Sequence, residues 1–91
     1  MIIEINDETL EIIKEMMLKE HKDSLRIDYA ENSCSLLNFK AVIDVQNEKD
    51  IDFQYKDIKV IAARQVDLIV SKVIINHETT PSGIKFKLLW E

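Results

Sequence analysis

The sequence predicts an α+β fold of small mixed or antiparallel sheets curled around a core, with one long N-terminal helix and one short helix. Three observations predict it. Apolar residues recur at helical spacing in only two stretches, near residues 7–21 and 63–71. Elsewhere they alternate with polar residues at period two, the mark of strands with one buried face. And a single glycine and a single proline, Gly83 and Pro81, leave nearly all of the 91 residues open to regular structure.

Ile2, Ile3 and Ile5 form a short β-branched opening that reads as an edge strand. Asn6 or Asp7 offers an N-cap, and Asp7 and Glu8 place negative charge at the positive end of the helix dipole. Leu10, Ile13 and Met17 then mark an apolar stripe widened by Ile12 and Met16, with acids and lysines opposite. Period two begins after Asp23, with Leu25, Ile27 and Tyr29 inward and Arg26 and Asp28 outward. Residues 31–35 interrupt it as a polar turn. Phe39, Ala41 and Ile43 make a second strand, Ile51, Phe53 and Tyr55 a third, and Lys56-Asp57 is a two-residue hairpin loop into Ile58, Val60 and Ala62. In the short helix Val66, Ile69 and Val70 share one side. Val73–Ile75 returns to strand, residues 78–83 (Glu-Thr-Thr-Pro-Ser-Gly) read as the clearest loop, and Ile84, Phe86 and Leu88 alternate in a last strand. The expected organisation is one domain over residues 1–91, either two small sheets or one curled sheet with the 7–21 helix across it.

Composition narrows the function. Hydrophobic residues make up 46% and charged residues 32%, an ordinary globular balance. The longest unbroken apolar runs are about four residues, against roughly 20 for a membrane span. Twelve basic residues face 17 acidic ones, for a net charge of −5, and the lysines of the first helix sit among glutamates. Nucleic acid and anionic membranes are therefore not expected partners. One cysteine cannot form an internal disulfide, and Met1 to Asp7 contains no basic stretch of a signal peptide. A cytoplasmic protein is expected.

Cys34 carries the only thiol, and so the only side chain combining soft-metal affinity with nucleophilic potential. Ser33, Ser35 and Asn32 around it argue for partial exposure; as a lone cytosolic cysteine it reads equally as a small hydrophobe or inert thiol. His77, beside Glu78, is a candidate metal ligand or a solvated loop residue, and His21 suits the C-terminal end of a helix dipole. No pair of carboxylates has a spacing that implies acid–base work, and no base or oxyanion donor accompanies Cys34, so an enzyme is not expected. Tyr29, Phe39, Phe53, Tyr55, Phe86 and Trp90 fall on alternating strand positions and read as core or interface; of these Trp90, at the end, is the one expected to be exposed and to touch a partner.

Two stretches resemble the HesB-like domain family, the A-type iron–sulfur cluster carrier and assembly proteins. Ser33-Cys34-Ser35 followed by Leu36 to Asp44 is similar to the family's turn ending in Cys-Ser and the aromatic–aliphatic strand after it; Ser82-Gly83-Ile84-Lys85-Phe86-Lys87 is similar to its C-terminal Gly strand. The order of elements agrees across nearly the whole chain. The departures are equally specific. Glu31-Asn32-Ser33 and Leu36 stand where the family has glycines, and the family's Cys-Gly-Cys tail would begin where this sequence reaches Glu91. The resemblance thus implies a degenerate member: a non-enzymatic accessory of iron–sulfur cluster assembly, an iron or cluster carrier or scaffold with Cys34 as its only retained cysteine ligand. It implies iron or an iron–sulfur cluster as cofactor, or none, and a homodimer or an assembly protein as partner. The alternative is an interaction module that keeps the HesB-like fold and binds no metal.

Overall fold

The computed structural model describes residues 1–30 and 38–91. Along these residues the chain forms β1 (Ile2–Ile5), α1 (Asp7–Glu20), β2 (Ser24–Tyr29), β3 (Phe39–Asp44), β4 (Asp50–Tyr55), β5 (Ile58–Ala63), α2 (Arg64–Ile69), β6 (Lys72–Thr80) and β7 (Gly83–Trp90). Two mixed sheets result. One has the order β1-β6-β7, with β1 parallel and β7 antiparallel to β6; the other has the order β3-β2-β5-β4, with only β2 and β5 parallel.

Local chemistry starts and stops each element. Asn6 caps α1, its side-chain oxygen accepting the Thr9 N–H at 2.8 Å. His21 ends the helix in the left-handed region at φ 56°, where Met17 O accepts its N–H and that of Lys22. His21 thus follows the last helical turn instead of belonging to it, and α1 is of ordinary length, 14 residues. Lys56 turns the β4–β5 hairpin at φ 51°, and Gly83 turns the β6–β7 hairpin at φ 125°, where a side chain would be strained.

Period-two alternation survives into the structure. Leu25, Ile27, Phe39, Ala41, Ile43, Val60, Val73 and Ile75 are buried from the two sheets, and Leu10 and Ile13 meet them from α1. Each fully buried aliphatic side chain contributes about 1.5–3 kcal/mol relative to exposure. Tyr55 ties the sheets together: its hydroxyl donates to Ile5 O (3.0 Å) and accepts the Ile5 N–H (3.2 Å).

Three expectations are corrected. Residues 78–83 are not a loop, since β6 runs to Thr80 and only Pro81-Ser82 turn the chain into Gly83. The hairpin tip provides its own partners, Thr80 Oγ1 donating to Gly83 O at 2.8 Å, so a polar, solvent-facing sequence still pairs. Ile69 is exposed, because α2 ends there and only Val66 and Val70, four apart, turn inward. Trp90 is half-buried: its ring stands edge-on to Phe39, centroids 4.7 Å apart.

Candidate functional site

Cys34, with the whole of 31–37, lies outside the described residues; its two anchors do not. Ala30 donates its N–H to Asn38 O at 3.0 Å, drawing together the strands that lead into and out of the stretch. Asn38 turns its own side chain back to accept the Phe39 N–H at 2.9 Å. Directly below, Tyr29 and Phe39 are cross-strand partners with rings 5.3 Å apart, and Trp90 closes the stack from β7. Cys34 is four residues in sequence from each anchor.

A groove of about 710 Å³ opens beside these anchors, between β3 and β7. Phe39, Phe86 and Leu88 face it from the core side and Lys40, Lys85 and Lys87 from the solvent side. Lys87 also approaches Glu78 across the hairpin at 3.2 Å, with both side chains largely exposed.

His77 is not a solvated loop residue. It sits on β6 with its side chain 12% exposed, and both ring nitrogens face α1. Nδ1 is 2.6 Å from the buried Thr9 hydroxyl, and Nε2 is 3.6 Å from Glu8 Oε1. Next to it Asn76 Oδ1 accepts from Asn6 Nδ2 at 2.9 Å. This row clasps the first turn of α1 to the three-stranded sheet. Among the described residues, no group of three or more His, Cys, Asp or Glu is placed to hold a metal ion. With one thiol in the chain, the donor set does not fit the roughly four ligands, mostly thiolates, that an iron–sulfur cluster takes.

A second polar assembly was not legible in the sequence. Arg26 Nε contacts Asp44 at 2.6 Å, and its two terminal nitrogens grip both oxygens of Asp50, each at 2.6 Å. Asp50 is 2% exposed at its side chain. Arg26 holds both carboxyls below the ordinary aspartate range, helped by the Val45 N–H at Asp44 and the Asn47 N–H at Asp50; the two carboxylates push the guanidinium the other way. The register puts Arg26 level with Ile61 on β5, so the side chain reaches β4 by crossing it. Ile61 is fully buried although it lies outside the main core cluster. Alternation alone puts Arg26 and Asp28 on the outer face; only the order of strands brings Asp50 within reach.

Solved structures show what this arrangement of elements is. A crystal structure of IscA with a [2Fe-2S] cluster superposes with a TM-score of 0.77 at 11% identity, covering 98% of this chain and 85% of that one. The fold is that of IscA. Escherichia coli SufA, described as involved in the biosynthesis of iron–sulfur clusters, gives 0.76 at 12% identity over 97% of this chain and 79% of that one. A solution NMR structure of a protein from Aquifex aeolicus gives 0.71 at 22% identity, over 97% and 90%. No family model matches the sequence, and a search among curated proteins gives no match. The likeness to IscA and SufA is therefore one of fold, and the expected HesB-like architecture is the observed one. No helix among the described residues is long and apolar enough to cross a membrane.

Proposed function

We propose that this protein is a non-enzymatic, cytoplasmic accessory of iron–sulfur cluster assembly that takes iron or a cluster as cargo at Cys34. The observation that carries this reading is the match in fold to IscA and SufA over 97–98% of the chain. The donor chemistry sets its terms. One chain brings one thiol, so cargo held at Cys34 takes its remaining ligands from a second copy or from an assembly protein, and association is a condition of binding. Anaerobic incubation with iron and sulfide tests this by visible absorbance. The wild type develops colour, alone or with an added thiol or assembly partner, and Cys34→Ser does not; if both stay colourless under every condition, Cys34 is no ligand.

A second reading, an interaction module that keeps the fold without metal, is favoured by one observation. Both nitrogens of His77, the other candidate ligand, are directed at α1. On that reading Cys34→Ala leaves the biological role intact.

A further inference from the structure

Acidic residues outnumber basic ones 17 to 12, yet the groove between β3 and β7 has three lysines and no carboxylate among its described lining residues. The local sign of charge is the reverse of the global one. Strand geometry concentrates it: Lys85 and Lys87 are two residues apart on β7, about 7 Å, and point away from the core-facing Phe86 and Leu88. Lys40 comes from β3 in the same outward phase, between the buried Phe39 and Ala41. Glu78 offsets Lys87 from outside the groove. Beside the lysines the groove is apolar, with Phe86 half-buried and Leu89 64% exposed.

We propose that this groove docks an acidic, extended segment of a partner protein, its carboxylates on Lys40, Lys85 and Lys87 and its apolar side chains against Phe86 and Leu89. Charge complementarity selects this occupant. A polyanion such as nucleic acid would meet the net charge of −5 beyond the groove, whereas a short segment meets only the local lysines. The inference deepens the reading above by naming the chemistry of the partner, and it rests on that reading for the purpose of docking: the groove reaches Ala30 and Asn38, so a bound segment lies beside the two described residues that flank 31–37.

Fluorescence anisotropy with a fluorescein-labelled peptide of alternating Glu and Leu, of eight residues to match the eight of β7, tests the groove in the metal-free protein. The wild type binds it, the affinity falls as salt is raised, and a peptide with Lys in place of Glu does not bind. Lys40→Gln with Lys85→Gln lowers the affinity by about tenfold, with little change in the thermal melt because both side chains are exposed and neither substitution sets like charges opposite Asp28 or Glu78. No binding by wild type, equal binding by the double variant, or concentration-dependent self-association abolished by the double variant each overturns the proposal. Because the assay contains no iron, it separates the two readings. A protein that binds the peptide but stays colourless on reconstitution loses the cargo reading alone, and one that colours but ignores the peptide loses the groove alone.

Discussion

Two polar regions, one on the larger sheet and one between its strand β3 and β7 of the smaller sheet, solve opposite problems. Around Arg26 the charges face one another: one guanidinium meets two carboxylates at 2.6 Å, and Asp50 is nearly sealed from water. A groove of about 670 Å³ lies there too, but its lining mixes Arg26, Lys49 and Arg64 with Asp28, Glu48 and Asp50, so the signs cancel. At the β3–β7 groove like charges stand side by side, and the structure beneath them is held by aromatic packing of Phe39, Tyr29 and Trp90. The first region spends its charge on the fold, and the second keeps its charge facing outward. Charge alone therefore does not mark the proposed docking surface; what singles it out is three lysines beside apolar side chains, with Lys87 partly offset by Glu78.

The contrast gives three measurements, in order of effect. Phe39→Ala removes the ring shared by Tyr29 and Trp90 at a position 4% exposed, and is expected to lower stability by about 3–5 kcal/mol in urea titrations. That loss should be nearly independent of pH. A loss below about 1 kcal/mol would show the aromatic stack to be dispensable. Arg26→Met leaves Asp50 buried without its partner and should lose about 3 kcal/mol at pH 7. This loss depends on pH. Both aspartates have native values below their unfolded ones, so their contribution is complete above the ordinary aspartate value of about 3.9 and disappears as pH falls through the depressed native values. Wild type and variant should therefore converge in strong acid; parallel curves down to that range would mean that the clamp does not act through its charges. The smallest effect is expected from Thr9→Val, which removes the hydroxyl 2.6 Å from His77 Nδ1 and should lose about 1–2 kcal/mol. Amide exchange would register it first at the opening turn of α1, and unchanged protection there would show that the clasp does not hold the helix.

What the sequence made legible follows from the range of the interactions involved. The Asn6 cap, the α1 stripe and the inward phase of Leu25, Ile27, Phe39, Ala41 and Ile43 depend on neighbours within a few residues, and each is where alternation or helical spacing puts it. Arg26 and Asp50 are 24 residues apart and two strands removed, so their pairing needed the strand order. His77 and Thr9 are 68 residues apart for the same reason. Trp90 failed in the other direction: a place near the end of the sequence suggested exposure, and the packing of β7 against Phe39 overrode it. The Glu-Thr-Thr-Pro-Ser-Gly run misled because turn-forming residues at a hairpin tip resemble a loop until the opposite strand is known. Of the two candidate ligands, His77 is placed and Cys34 lies outside the described residues; the lysine groove was invisible because Lys40 and Lys85 are far apart in sequence and each looks like an ordinary outward strand residue.

The parallel pairing of β1 with β6 aligns Ile2 with Lys72 and Ile5 with Ile75. That alignment has a consequence for biosynthesis. The edge strand β1 is rich in isoleucine, and its hydrogen-bonding partner is made some 70 residues later, a delay of roughly 4–14 seconds at 5–20 residues per second. The four-stranded sheet, whose strands all lie between residues 24 and 63, can assemble within that interval. The three-stranded sheet cannot, so β1 waits without its parallel partner until β6 is made.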